Sequence, residues 1–412
     1  MKQNYFLLWV CTALISVTAI NSSCKSKAAG AESANAPKEL VIPALFERKG
    51  ELANATEWQK TKEKVAELKQ KIAANANDVK SRLQIATIYM SEARITGEHP
   101  YYYPAIISIL DGVLALDSKN FEALLYKASV KLSQHRFTEA KQIAETAKNI
   151  NPDNAYVYGV LVDANVEMGN YEEAVKMSDR MQEIKPSLES YSRASYLREI
   201  YGDYLGAIEA MQMAVQAGVP GSEPWCWSKK TLGYLYEQTK DWEKASLQYE
   251  DILSTRPSYA YALAGMARIE KNKKNYPGAL TLLEQASAIM PEFSFTEEAA
   301  DIYTLQGEKE KAKAEYAKVL TMLKEDETSG HLVSLEMCRI YTKTGEYQLA
   351  IEEAMKEYKE RPDNIDVNHA LAWANYMNKD NEKARQHLNT ALKTGSKDPE
   401  LLERAGLIKK GG

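Results

Sequence analysis

The stretch TLGYLYEQTKDWEKASLQYEDILSTRP (residues 231–257) reads as two helices joined by a turn. Gly233 is followed three places later by Tyr236. One helical turn puts both on one face, where the small residue admits a close neighbour and the ring fills the gap beside it. Ala245 opens the second helix and permits another close approach. Pro257 cannot extend that helix and sets the next turn. A lone hairpin of this kind cannot bury its own apolar face, so the reading requires neighbours.

The neighbours are present. NYEEAVKMSDRMQEIKP (170–186) and NYPGALTLLEQASAIMP (275–291) repeat the aromatic, the alanine three places on and the proline twelve places after that. Aligned alanines recur at Ala105, Ala140, Ala174, Ala207, Ala245, Ala279, Ala312, Ala350 and Ala384, with spacings of 33 to 38 residues clustered on 34. The first-helix small and aromatic places recur at Ala86 and Tyr89, Ala300 and Tyr303, and Cys338 and Tyr341. The copy that holds Ala207 departs most, with Ser195 and Arg198 at those places.

This pattern resembles the tetratricopeptide repeat over residues 79–398. The resemblance implies an all-α fold: a right-handed superhelical solenoid of about nine helical hairpins. Its ends need caps. Residues 54–78 carry Trp58, Val65, Leu68 and Ile72 at helical spacing and read as an N-terminal capping helix. Residues 399–412 read as a C-terminal capping helix and tail, with Lys409 and Lys410 where a helix dipole favours cations. ITGEHPYYYP (95–104) lengthens the first unit. It reads as an inserted loop, either covering the end of the stack or exposed for contact.

The N-terminus reads as an address. Lys2 precedes a 15-residue apolar run, Phe6 to Ile20, too short to span a bilayer comfortably. Small residues lead to Cys24, and the segment resembles a bacterial lipoprotein signal (1–23), although Asn21 stands where an aliphatic residue is usual. Acylation of Cys24 would hold the protein at a membrane. Residues 24–53 begin with small polar residues and read as a flexible tether. The expected location is the cell envelope, lipid-anchored, at the outer membrane facing the periplasm.

Composition narrows the function. With 52 Lys+Arg against 57 Asp+Glu the net charge is -5, which argues against nucleic acid. Four cysteines exclude a disulfide scaffold, and Cys226 and Cys338, three units apart, should both be free. The five histidines form no HExxH, no CxxC pair occurs, and no phosphate-binding or nucleophile-elbow motif is present. No cofactor or metal is expected, and the chain reads as a non-enzyme.

The resemblance places first helices on the concave wall. Residues at i, i+3, i+7 and i+10 of each then form an inward stripe. Tyr156 and Asp163, Tyr196 and Glu199, Trp227, Lys230, Tyr234 and Glu237, and Tyr261 and Arg268 fall on it. Five rings would share a groove that is acidic in the middle and basic toward Arg268. Tyr and Trp suit recognition, since they bury much area at low rotamer cost. The leading expectation is a lipid-anchored scaffold that binds a protein or peptide in this groove. The alternatives are a glycan-capturing outer-membrane lipoprotein and a regulatory subunit of an envelope enzyme.

Overall fold

The computed structural model describes residues 42–411, so Cys24 and the signal segment lie outside the described residues. Twenty α-helices and one short 3-10 turn (Gly50–Ala53) account for the fold, with no strand among the described residues. Helix α1 (Thr56–Ala74) caps one end and α20 (Pro399–Lys410) the other. Between them lie nine hairpins. In order these are α2 (Val79–Thr96) with α3 (His99–Leu116), α4 (Phe121–Ser133) with α5 (Phe137–Ile150), and α6 (Ala155–Glu167) with α7 (Tyr171–Ile184). Next come α8 (Leu188–Ile200) with α9 (Tyr204–Ala217), α10 (Glu223–Gln238) with α11 (Trp242–Thr255), and α12 (Ala260–Asn272) with α13 (Tyr276–Ile289). The last are α14 (Phe293–Leu305) with α15 (Lys309–Thr328), α16 (Ser334–Thr344) with α17 (Tyr347–Glu360), and α18 (Ile365–Met377) with α19 (Asn381–Ala391).

Local chemistry sets these boundaries. Side chains of Asp78, Asn120, Asp203, Ser222, Asp241 and Asp398 accept a backbone N–H of the first turn they precede, satisfying donors that no helical carbonyl can reach. Pro152, Pro186, Pro257, Pro291 and Pro362 each sit two residues beyond the end of a second helix. Every within-hairpin turn contains one residue in the left-handed region, from Gly97 through His135, Gly169 and Gly202 to Lys379. Eight of the nine aligned alanines are buried, and Ala105 partly so. The small–large logic is clearest at Tyr249, whose ring fills the space left by two glycines. A Cβ at either Gly233 or Gly265 would come within 2.6 Å of it.

Two features depart from the sequence reading. Residues 42–49 are not free tether but an extended strap laid on the first hairpin, with Ile42, Leu45 and Phe46 packed on its core. The tyrosine run is what holds it. The 95–104 segment is not a loop: only Gly97 and Glu98 interrupt the helices, and α3 starts at His99 with Pro100 in its first turn, where a missing N–H is tolerated. Tyr102 and Tyr103 are buried. Tyr102 Oη accepts the Phe46 N–H (2.9 Å), while Tyr101 donates to Ala44 O (2.8 Å) and Tyr89 to Pro43 O (2.6 Å). An extended strand has no internal partners for its backbone, so these hydroxyls supply them. Arg48 completes the anchorage with a buried two-point pair to Glu92 (2.6 and 2.9 Å).

The second departure is larger. The ribbon of hairpins coils until its edges meet. Within-hairpin turns lie along one edge and between-hairpin turns along the other. The α4–α5 turn meets the α15–α16 turn: Leu332 N–H donates to Gln134 O (3.0 Å), and Arg136 Nε to Gly330 O (3.1 Å). His135 Nδ1 lies 2.8 Å from Leu332 O, and its ring stands edge-on to His331, centroids 4.3 Å apart. The α6–α7 turn meets the α17–α18 turn: Arg361 pairs with Glu167 (2.6 Å), Asn364 donates to Glu167 O (3.0 Å), and Ile365 N–H donates to Tyr171 Oη (2.9 Å). These side-chain bonds join residues 194 to 197 apart, a constant register. The seam runs on at both ends, with Gly97 against Met290 and Gly202 against Gly395 O.

Candidate functional site

First helices form the inner, closely spaced layer, because their side chains bridge directly from one hairpin to the next. Arg193 of α8 pairs with Asp163 of α6 (2.6 Å), Arg268 of α12 with Glu237 of α10 (2.8 Å) and with Glu298 of α14 (2.9 Å). Across the interior, walls from distant hairpins face each other. Burial pushes the Glu199 carboxyl up to about 7, and the negative charges of Asp398 and Asp366, which belong to the ninth hairpin and its cap, add to the shift. Tyr196 is 37% exposed, yet burial drives its hydroxyl well above its usual range. A ring can be both wetted and hemmed in where it lines a solvent-filled lumen with protein on the far side.

The predicted residues divide into three sets. One set is brought together. Trp227, 44% exposed, stands edge-on to Tyr261 (5.8 Å between centroids), and Tyr261 stands edge-on to Phe295 (5.6 Å). Lys230 lies over the Trp227 ring at 4.1 Å. Burial lowers its pKa to about 8, with Arg268 as the next cause. Tyr261 donates to Glu292 (3.1 Å), whose carboxyl burial raises. Tyr196, Tyr234 and Glu199 form a second group. The Tyr234 hydroxyl is raised by burial and then by the charges of Glu199 and Asp398.

The third set serves the wall itself. Glu237 is buried, accepts from the Tyr249 hydroxyl, and is paired with Arg268. Arg268 in turn is held between Glu237 and Glu298. The expected basic end of the groove is therefore neutralised, because side chains on adjacent first helices are long enough to pair. Asp163 is likewise occupied by Arg193. Tyr156 is held by Lys185, which lies 5.0 Å above its ring and donates to its hydroxyl (3.2 Å). The inward stripe of the ninth hairpin is covered: Trp373 stacks on Tyr376, and Arg404 of α20 lies over Trp373 (4.9 Å). Stripe reasoning missed Tyr259, Glu292 and Phe295, which sit beside Tyr261. Their signal was position: Tyr259 and Glu292 occupy the N-caps of α12 and α14, two residues before Tyr261 and three before Phe295.

The two described cysteines are not activated. Cys226 and Cys338 are free and buried, with thiols pushed by burial up to about 11 and about 12, which keeps them protonated and inert. Among the described residues no group of three His, Cys, Asp or Glu side chains is placed to hold a metal ion. Nor is any described helix long and apolar enough to cross a membrane.

Residues 232–341 match the tetratricopeptide repeat-like domain family, and residues 131–195 match a tetratricopeptide repeat family. These two stretches carry tetratricopeptide repeats. Repeats of this type typically serve as protein-interaction scaffolds. Solved structures of similar fold include a human IFIT1 dimer with PPP-AAAA, at 14% identity and TM-score 0.51 over 77% of this chain and 73% of that one. A monomeric IFIT1 mutant with Gppp-AAAA gives 13% identity and TM-score 0.52 over 83% and 78%. The APC/C hetero-tetramer Cut9–Hcn1 aligns at 12% identity and TM-score 0.45 over 79% of this chain, which spans 55% of that chain. At these identities the likeness is one of fold alone. No curated protein matches the chain.

Proposed function

We propose that this protein is a non-enzymatic scaffold, lipid-anchored in the cell envelope through Cys24, that holds an extended segment of a protein partner inside its repeat lumen. The observation that carries the reading is the water-exposed Trp227 against Tyr261 on the inner wall, with Tyr234 two turns along the same helix and Tyr196 on the preceding hairpin. Exposed rings on a wall whose packing places are already filled are surface kept for contact. The closed seam excludes a folded domain laid into the groove from the side. A single extended strand is the shape that remains. Among the described residues Glu199, Asp366 and Asp398 have no cationic side chain within ion-pair distance, so basic side chains on that strand are favoured.

The test is crosslinked recovery of partners from detergent-solubilised membranes, comparing the parent with Trp227→Ala plus Tyr234→Ala. Loss of the same partners from the variant supports the reading; undiminished recovery removes it. Retention on a glycan affinity gel that disappears in the variant would favour the glycan-capture alternative, since the same rings can stack on sugars. Palmitate labelling checks the anchor separately: label persisting in Cys24→Ala means Cys24 is not the attachment point.

A further inference from the structure

The convex face carries a second candidate site, independent of the lumen. Between α7 and α9, over α8, lies a cleft of about 500 Å³. Its floor is made of Ala194, Leu197 and Ala210 with the small Ser178 beside them. Tyr201 and Met213 stand exposed at its sides, and Leu205, one helical turn before Glu209 on α9, is 76% exposed. The cleft has a cause in the sequence. In the fifth hairpin the aromatic place is Tyr236, which is buried between the flanking second helices: Gln212 of α9 donates to its hydroxyl (3.0 Å), and Lys244 of α11 lies over its ring. In the fourth hairpin that place is Arg198. Its guanidinium reaches to Gly206 O (3.1 Å) instead of filling the gap.

We propose that this cleft receives an amphipathic helix of a partner protein, with large apolar residues on one face and Lys or Arg beside them. The trough lies between two second helices of 14 residues each, about 21 Å long at 1.5 Å per residue. Helix-in-groove docking needs such a trough with an apolar floor. Charge selects the occupant. Asp179, Asp203 and Glu209 line the mouth against the single Arg198. A second copy docking through the same face would bring these carboxylates against their own counterparts, so a basic partner fits and self-association does not.

The experiment uses the full chain and two fluorescein-labelled 16-residue helical peptides, one of Leu and Lys and one of Leu and Glu. Anisotropy titration should show the Leu/Lys peptide binding in the micromolar range, weakening with salt, and the Leu/Glu peptide not binding. Arg198→Tyr, which restores the filling aromatic, and Met213→Lys should each weaken binding at least tenfold. Trp227→Ala should leave it unchanged. Binding that survives Arg198→Tyr, or is lost in Trp227→Ala, would place the peptide in the lumen and overturn the proposal. So would no binding at all, or a sedimenting dimer abolished by Met213→Lys, which would make a second copy the occupant.

Discussion

The seam can be isolated by one methyl group. Gly169 and Gly307 occupy equivalent turns with nearly equal backbones, φ +78° and +77°. Alanine at either pays the left-handed penalty of about 1–2 kcal/mol. Only Gly169 faces the seam: its Cβ would lie 2.5 Å from Asp363 O and 2.8 Å from Asn364 N, whereas nothing lies within 4 Å at Gly307. Backbone atoms cannot swing aside as side chains do, so the two turns must separate by about 1 Å to reach ordinary contact. That separation breaks the Arg361–Glu167 pair and the bonds from Asn364 and Ile365. One charge-assisted bond at about 1.5–3 kcal/mol and two neutral ones at about 1 kcal/mol each come to roughly 3–5 kcal/mol. The Ile365 N–H is a direct reporter, since it opens α18 and its acceptor is Tyr171 Oη across the seam. Hydrogen exchange of a peptide containing Ile365 should speed up by about two to four orders of magnitude in Gly169→Ala and by about tenfold or less in Gly307→Ala. Helix interiors of both variants should keep their protection. Equal, small changes at Ile365 in the two variants would refute the closed-seam reasoning.

Three further outcomes are expected. Arg48→Met leaves Glu92 buried without its partner, so it should cost about 3–5 kcal/mol and expose residues 42–53 to limited proteolysis. Gly265→Ala drives a Cβ into the Tyr249 ring and should destabilise by about 1–3 kcal/mol, with Tyr249→Leu in the same chain recovering most of the loss in a urea titration. Glu199 binds its proton more tightly in the folded state, near pH 7 against 4.5, so stability should fall as pH rises between those values and level off above. Glu199→Gln should flatten that slope and be the more stable form at pH 8, and an unchanged urea-midpoint profile from pH 4 to 8 would reject it.

The hairpins were legible because their packing is local. Each aligned alanine touches its own partner helix, and nine alanines gave nine hairpins. The inward stripe was legible in direction but not in availability. Glu237 and Arg268 are neutralised across adjacent helices, and that pairing has a signal: opposite charges on neighbouring stripes, Glu237 ten places after Trp227 and Arg268 seven after Tyr261, 31 residues apart. The strap and the seam were not legible by periodicity, since they join segments tens to nearly two hundred residues apart. Their traces were the unexplained features. Two of the three tyrosines in a row, Tyr101 and Tyr102, were a donor and an acceptor for the extended strap. The turn residues changed character along the chain. Gly169 and Gly202 sit where another turn abuts them, whereas Lys240 and Lys274 hold the same left-handed conformation farther along.

A closed seam changes what kind of object a helical repeat is. In an open solenoid each hairpin contacts only its neighbours, so stability is close to a sum along the chain and a defect stays local. Here hairpins about two hundred residues apart share hydrogen bonds, so the second through fourth hairpins and the last three stabilise each other directly. Loosening one side of the seam must therefore loosen the other. The same bonds wall in the lumen, and whatever occupies it either threads past an end or parts the turns on its way in. In the second case the Glu167–Arg361 and His135–Leu332 contacts oppose association, and weakening them should speed capture while slowing nothing else. Gly169→Ala then serves twice: if the lumen loads through the seam, the variant binds its partner faster than the parent, and if it loads from an end, the two rates agree.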